Sequence, residues 1–400
     1  MSGTVIVGAG QAGVQVAVEL RASGYEGAIT LVGEEGALPY HRPPLSKAYL
    51  TGEKSLDGLQ MRGAAFYVEQ RITLMLGERA LAIDREKRHL ALSGGSAVAY
   101  DHLVLATGAS ARKLSCPGHD LDGVIVLRGL EDADALKARL SAASSLVVVG
   151  GGFIGLEAAA SARKLGKAVT VIEQQDRLMA RAVGPGISRH FAETHAGHGV
   201  SLRLGAGVAE IRGEGGKVRG VALSNGANVQ ADIILAGVGV MPNTGIAADA
   251  GLNIANGILV DEAQITDDPR ILALGDVCAF PYEGGAIRLE SVQNAVDQAK
   301  VVAAAIMGRP ARYRAVPWFW SDQYDLKLQI VGLSQGADHV EERGSRSENR
   351  FSVFYVKAGR LIAIDSVNRP ADHMRGRKLL GPDAAPIGPG EIDAAFPSRI

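Results

Sequence analysis

Apolar runs along this chain repeatedly end at glycine-rich turns. The first run, Thr4 to Val7, predicts a strand. Gly8-Ala9-Gly10-Gln11-Ala12-Gly13 follows, and Val14, Ala17 and Val18 then share one face of a helix ending near Gly24. A second apolar strand, Ile29 to Val32, leads into Gly33-Glu34-Glu35. Strand, tight turn, helix, strand and acid together make the G-x-G-x-x-G unit. The first glycine permits the turn, the second lets a pyrophosphate approach the backbone, and the third lets helix and strand pack closely. The helix N-terminus faces the phosphates. A dinucleotide site is expected here.

The unit occurs twice. Leu146 to Val149 runs into Gly150-Gly151-Gly152-Phe153-Ile154-Gly155, then a helix to Lys164, a stop at Gly166, a strand from Ala168 to Ile172, and Glu173. Gly150, Gly152 and Gly155 take the three glycine positions and Glu173 the acidic one. Repetition of the whole unit makes chance agreement a poor explanation. Glu173 carries its own chemistry: a carboxylate accepts both ribose hydroxyls of NADH and repels the 2′-phosphate of NADPH. Arg177 is the only nearby cation and reads as a solvated surface residue.

Between and beyond these units the pattern is mixed. Pro39-Tyr40-His41-Arg42-Pro43-Pro44-Leu45-Ser46-Lys47 predicts a shaped loop leading into a helix that starts at Ser46; it either lines a ligand or is a plain surface connection. Short strands are expected at Ile72 to Leu76, Ala80 to Ile83 and His89 to Leu92, and a buried strand at Leu103 to Ala106 before Thr107-Gly108-Ala109. Polar residues from Ser110 to Asp122 mark a domain crossing. Turns at Gly213 to Gly216 and Asn225-Gly226 suggest a β-rich insert, followed by strands at Ala231 to Ala236 and Ile271 to Leu274 and a helix from Asn294 to Met307. After Arg309 the character changes, with Pro317-Trp318-Phe319-Trp320, strand-like alternation from Tyr324 to Val331, strands at Phe351 to Val356 and Leu361 to Asp365, and a closing helix with a Pro/Gly-rich tail. Trp318 and Trp320 share a strand face, with Phe319 opposite.

Composition narrows the field. A chain of 400 residues predicts two or three domains. The longest apolar stretches, Ile233 to Met241 and Val301 to Met307, fall short of the ~20 residues that cross a bilayer. The start of the chain runs straight into a strand, so no signal peptide is expected, and with two cysteines a reducing, cytoplasmic setting is expected. A net charge of -1 argues against bulk attraction to nucleic acid or membrane. The two cysteines, Cys116 and Cys278, form no C-x-x-C, which argues against a redox-active disulfide or a protein-held iron–sulfur cluster. His190, His195 and His198 lie close together, but a metal site needs more convergent ligands, and none is expected.

Two nucleotide sites imply two cofactors exchanging electrons. At this point the chain resembles the putidaredoxin-reductase and rhodocoxin-reductase type of ferredoxin reductase, within the two-dinucleotide-fold flavoproteins. The matching segments are GAGQAG at 8–13, HRPPLSK ending at Lys47, LATGA at 105–109, GGGFIGLE at 150–157, GVGVMPN at 237–243, LALGDV at 272–277, ESVQNA at 290–295 and WFWSDQY at 318–324. Gln293 departs from some members, which carry proline there. The resemblance implies an α/β fold of glutathione-reductase-like architecture: two Rossmann-like dinucleotide-binding domains, FAD-binding over 1–110 and 238–314 and NAD-binding over 111–237, plus a C-terminal α+β domain over 315–400.

The same resemblance implies FAD in the first fold and NADH in the second. It puts the FAD pyrophosphate on Gly8, Gly10, Ala12 and Gly13, and the FAD ribose on Glu34, with Glu35 as the alternative. Ala80 matches a backbone contact to adenine, Arg128 a flavin contact, Asp276 an acid near the ribityl chain, and Val292 a flavin-contact position; Ala80 and Val292 equally suit a core. Thr107, Gly108, Ile154 and Gly237 fall at further cofactor-binding positions. Lys47 and Glu157 match a pair at the flavin's reactive edge, where they position the nicotinamide and balance charge; a dipole-stabilising acid and a surface cation are the plain readings. Trp320 either borders the flavin or is core.

The implied reaction takes a hydride from NADH onto FAD. With no disulfide relay, the flavin discharges electrons singly. The implied acceptor is a two-iron two-sulfur ferredoxin serving a haem monooxygenase or a ring-hydroxylating dioxygenase. From residue 301 onward 14 Lys and Arg face 11 Asp and Glu, against 28 and 32 before it, so a mildly basic third domain could steer an acidic ferredoxin. Ordinary solvated arginines are the other reading. Rival functions are reduction of rubredoxin or of a small molecule such as an ascorbate radical, and an apoptosis-inducing-factor-like interaction protein; the last carries targeting segments and a strongly basic surface, neither of which is expected here.

Overall fold

The computed structural model describes residues 3–396 and divides into two compact units. The first comprises 1–41, 57–110 and 241–317; the second comprises 42–56, 111–240 and 318–400.

In the first unit the strand Gly3–Val7 lies between Ile29–Gly33 and Ala97–Leu105, parallel to both. All five of its residues are buried, which is why the sequence shows no polar alternation there. Ile72–Leu76 extends the sheet on one side and Ile271–Ala273 pairs with Ala97–Leu105 on the other. An antiparallel ribbon, Ala80–Asp84 with His89–Leu92, continues from the long strand. The helix Gln11–Ala22 buries Val16, Ala17 and Leu20 in a core shared with Ala299, Val302 and Ala303 of the helix Val292–Ile306. Ser291 caps that second helix by accepting from the Asn294 N–H at 3.1 Å, so it starts two residues earlier than its apolar pattern implied.

The second unit repeats the design. Five parallel strands run in the order Val200–Leu204, Ala168–Glu173, Ser145–Val149, Ile233–Ala236 and Val124–Val126. The expected β-rich insert is a three-stranded antiparallel sheet, Val208–Glu214, Lys217–Leu223 and Asn228–Gln230. The C-terminal region forms its own antiparallel sheet, ordered Trp318–Gln323, Leu326–Gly332, Arg360–Val367, Arg350–Lys357 and His339–Ser345. The segment 42–56, which falls within the range 1–110 expected for the first fold, groups with this unit. Arg42 donates to the Arg128 carbonyl at 2.8 Å, Ser161 Oγ to the Ser46 carbonyl at 2.7 Å, and Tyr49 Oη to Asp134 at 2.5 Å.

Several local expectations change. No α-helix starts at Ser46: Pro43–Ser46 is a single 3-10 turn ending at Lys47, because the Ser46 hydroxyl and carbonyl are engaged by other elements. Tyr324 is a turn residue with φ of 55°, so the strand expected from it begins at Leu326 instead. A helix at Leu130–Ala142 buries Leu130, Ala133, Leu136 and Leu140, and a short one forms at Ala64–Glu69. Arg177 is not a solvated cation. Its guanidinium donates to the Ala180 and Val183 carbonyls, both at 2.7 Å, and to Ser188 Oγ at 2.9 Å. Among the described residues, no helix is long and apolar enough to cross a membrane.

Asp365 on the strand Arg360–Val367 is wholly buried, accepting from the Tyr355 hydroxyl at 2.7 Å, while its Oδ1 has no hydrogen-bond partner. Burial pushes its carboxyl up to about 7. The folded state therefore retains a proton that the unfolded chain, titrating near 4, has already released; this site's stabilising contribution is full at low pH and falls as pH rises from about 4 to 7. Asp365→Asn removes the dependence. Relative to the parent, the variant should gain about 2.5 kcal/mol of stability between pH 5 and pH 8. Thermal melts at the two pH values check this; a constant difference between the proteins would contradict it.

Candidate functional site: two glycine cradles and a buried ion pair

The first cradle sits where three parallel strands end in register. Val7 pairs with Leu105, and Leu105 with Ala273. Gly8, Thr107 and Asp276 therefore emerge at the same carboxyl edge, the place where such sheets bind ligands. Gly8 has φ of +114°, and a Cβ there would lie 2.1 Å from the Ala106 carbonyl oxygen. A Cβ on Gly13 would lie 2.0 Å from the Gly8 carbonyl oxygen. A Cβ on Gly10 meets nothing within 4 Å. Two glycines are thus demanded by the chain's own packing, and the middle one faces open space. The helix Gln11–Ala22 has no side-chain cap at Gly10 and no acid in its first turn, leaving its N–H groups directed at that space. These features fit a pyrophosphate.

Around this cradle, Glu34 follows the strand Ile29–Gly33, is exposed, and lies 3.7 Å from Arg79. Glu35 is half-buried and accepts from the Tyr40 hydroxyl. Asn243 donates to the Thr107 carbonyl at 2.8 Å and accepts from Ser110 Oγ at 2.7 Å, fixing the Thr107–Gly108 turn. Asp276 is half-buried in the 3-10 turn Gly275–Val277, and a Cβ on Gly275 would lie 3.0 Å from the Ala12 Cβ. Val292 opens the helix Val292–Ile306, while Ala80 begins the antiparallel ribbon, packed on the core.

The second cradle reproduces the first. Gly150 has φ of +108°, with a Cβ 2.3 Å from the Gly237 carbonyl oxygen; a Cβ on Gly155 would lie 2.4 Å from the Gly150 carbonyl oxygen; one on Gly152 meets nothing within 4 Å. The helix Phe153–Lys164 again lacks a side-chain cap and a first-turn acid, and Ile154 stands exposed on that turn. Glu173 accepts from the Gly151 N–H at 2.7 Å and the Gln175 N–H at 2.8 Å, which aims its carboxylate at the turn. Arg177 is committed to carbonyls. This arrangement fits a dinucleotide whose ribose carries free hydroxyls.

One turn into that helix lies Glu157, only 3% exposed. Its Oε1 is 2.9 Å from Lys47 Nζ and accepts from Ser321 Oγ at 2.7 Å, and its Oε2 accepts from Ser46 Oγ at 2.6 Å. Burial pushes the carboxyl above its ordinary range, opposed by the Lys47 charge and the serine hydroxyls. Lys47 follows the Pro43–Ser46 turn, whose fixed prolines project Ser46 and Lys47 onto the helix. Ser321 comes from the strand Trp318–Gln323. Ser46 and Ser321 escaped the sequence reading; the available signal was Ser321 and Gln323 as polar residues two apart on a strand face that also carries Phe319. Ser321 and Gln323 on that face are buried, and the Phe319 ring lies 4.7 Å from the Phe153 ring.

Trp318 and Trp320 pair on the opposite face at 5.7 Å, and the Arg377 guanidinium lies 4.6 Å from the Trp318 ring. The Arg128 backbone is fixed before the helix Leu130–Ala142, its N–H donating to Asp132 at 2.9 Å. His190 packs on Phe351, while His195 and His198 both lie against the Tyr324 ring, at 5.0 and 3.8 Å, and His195 also meets Gln323. Among the described residues no cluster of His, Cys, Asp or Glu could hold a metal. Cys116 and Cys278 are free, and burial pushes the Cys278 thiol up to about 12. Several C-terminal arginines carry ion pairs, Arg343 with Glu341 and Asp393, and Arg346 with Glu342.

Comparison with known proteins places this geometry. The chain is 48% identical over 399 residues to rhodocoxin reductase of Rhodococcus erythropolis, across 99% of this chain and 93% of the relative. A solved structure of the ferredoxin reductase for the CYP199A2 system from Rhodopseudomonas palustris is 49% identical with a TM-score of 0.94, covering 97% of this chain and 96% of that one. The covalent putidaredoxin reductase–putidaredoxin complex gives 40% identity and a TM-score of 0.94 over 100% and 99% of the two chains. Residues 318–397 match the reductase C-terminal family. Residues 3–299 match the pyridine nucleotide-disulphide oxidoreductase family, and the chain belongs to it.

Proposed function

We propose that this protein is an NADH-dependent, FAD-containing ferredoxin reductase. The observation that carries the reading is the doubled cradle: two glycine turns with the same two blocked positions and the same open middle one. Gly8, Gly10, Ala12 and Gly13 would hold the FAD pyrophosphate, with Glu34 on the ribose, since Glu35 is engaged by Tyr40. Thr107, Gly108, Ala80, Asp276 and Val292 would line the rest of that cofactor's path. Gly150, Gly152, Ile154, Gly155 and Gly237 would hold NADH, with Glu173 on its adenosine ribose. Arg128 and Trp320 are assigned further cofactor contacts. Bound FAD supplies the chemistry that joins a two-electron donor to a one-electron acceptor.

The chain's own residues prepare the donor side. Glu157 and Lys47, just beyond the NADH turn, would meet the nicotinamide end of the dinucleotide. A fixed carboxylate and ammonium orient the amide-bearing ring and offset positive charge as NAD⁺ forms. Glu173, held by two backbone N–H groups, accepts ribose hydroxyls and repels a 2′-phosphate, while the Arg177 guanidinium is engaged by the Ala180 and Val183 carbonyls and Ser188 Oγ. The acceptor is read as an acidic two-iron two-sulfur ferredoxin feeding a haem monooxygenase or a ring-hydroxylating dioxygenase. The relatives' acceptors support a ferredoxin, and the excess of Lys and Arg from residue 301 onward, which lies at Arg309, Arg312 and Arg314, supports an acidic one. We read the setting as cytoplasmic, consistent with two free cysteines.

Steady-state turnover tests the function. With FAD-loaded protein, NADH should exceed NADPH in kcat/KM by at least about 100-fold, given the worth of a charge-assisted contact and an opposing charge. A two-iron two-sulfur ferredoxin should accept electrons at a rate that falls with ionic strength. Equal use of NADPH would overturn the donor assignment, and faster reduction of rubredoxin or a small quinone would overturn the acceptor.

The two kinds of glycine separate folding from binding. Gly150→Ala, with its positive φ and 2.3 Å collision, should destabilise the protein by more than about 2 kcal/mol. Gly152→Ala should leave the melting temperature unchanged while raising the KM for NADH by about tenfold or more. Thermal melts with NADH titrations check this; an unaltered KM in Gly152→Ala would remove the pyrophosphate from that position.

A further inference from the structure

Glu157 ends a hydrogen-bonded line longer than an ion pair requires. Gln323, wholly buried, donates from Nε2 to Ser321 Oγ at 3.1 Å. Its Oε1 lies 2.8 Å from Nε2 of His195, which is also wholly buried, in the last turn of the helix Pro185–Gly197. The Tyr324 hydroxyl lies 3.4 Å from His195 Nδ1. Chemistry fixes the direction of every link. A carboxylate only accepts, so the Ser321 hydrogen is committed to Glu157. The Ser321 oxygen then accepts from an amide NH₂, which turns the Gln323 carbonyl toward His195. His195 must therefore donate from Nε2 and carry its proton there.

We propose that His195, Gln323 and Ser321 are positioning residues for the NADH reaction, forming a one-way line of donors that holds Glu157 ionised and fixed beside Lys47. The proposal rests on the reading of Glu157 as the carboxylate at the nicotinamide. The charged and titratable groups around the line are few. Lys47 is the cation facing Glu157. His198 on the same helix, Tyr324 on the adjoining turn, and Arg163, whose Nε donates to the His198 carbonyl at 2.9 Å, surround His195. Burial keeps His195 neutral by pushing its imidazolium down to about 4, so the line keeps its polarity across the working pH range. Loss of one donor leaves the desolvated carboxylate less compensated and favours its protonated form.

Anaerobic stopped-flow reduction of the FAD-loaded protein by NADH, followed from pH 5 to 9, tests this. In Ser321→Ala the midpoint of the acid limb should rise by about one pH unit. Gln323→Leu and His195→Leu should shift it in the same direction by less, and His195→Gln, which keeps an N–H donor, should stay with the parent. Nitrogen-15 NMR of the parent should show His195 neutral, with its proton on Nε2, at pH 7. Superimposable profiles for the parent and all the line variants, or a His195 that is cationic or protonated on Nδ1 at pH 7, would overturn the proposal. Glu157→Gln separates the two levels: reduction at the parent's rate would remove the underlying reading of Glu157. A slowed Glu157→Gln beside unshifted line variants would remove the line alone.

Discussion

Placing a carboxylate in the interior of a protein is costly unless a charge and hydrogen bonds come with it, commonly by several kcal/mol for each ion. Glu157 meets that constraint with three partners drawn from different parts of the chain. Lys47 and Ser46 come from the Pro43–Ser46 turn, and Ser321 from the C-terminal sheet. One acid on one helix thereby fixes the position of two otherwise separate segments. It is one of the contacts that group 42–56 and the C-terminal region with the parallel sheet of 111–240. Neutralising either partner leaves an uncompensated buried charge, so the three segments are tied by an interaction that is far more expensive to break in part than to omit.

The two cradles show one solution used twice. In each, the first and third glycines are required by backbone carbonyls about 2 Å from any added Cβ, and the second by open space. The units then diverge beyond the turn. The first spreads its remaining polar groups along the ends of three strands, at Thr107, Asn243 and Asp276. The second concentrates them one helical turn onward, at Glu157. That difference suits a long-resident cofactor in one fold and an exchanging donor in the other.

Much of this was legible in the sequence because it is local. Apolar strands, glycine spacing and terminal acids lie within about 30 residues of each other, and their physics needs no knowledge of the rest of the fold. The resemblance supplied Lys47 and Glu157 as a pair 110 positions apart in the chain. It did not supply Ser46 or Ser321, whose role depends on a strand register set by tertiary packing. Tyr324 was hidden for a similar reason: an aromatic in an alternating run reads as strand, although the chain turns there with a positive φ. Arg177 looked solvated because spacing says nothing about the carbonyls of Ala180 and Val183 that surround it.

Electrons enter this protein in pairs and, on this account, leave one at a time. No second thiol stands ready to take the pair: Cys278 is wholly buried and its thiol is held protonated, and neither cysteine is in a disulfide. The most direct measurement is an anaerobic titration of FAD-loaded protein and excess oxidised two-iron two-sulfur ferredoxin with NADH, read from the ferredoxin spectrum. The account predicts two ferredoxins reduced for each NADH consumed. Consumption of NADH with no reduced ferredoxin, or with one per NADH, would contradict it.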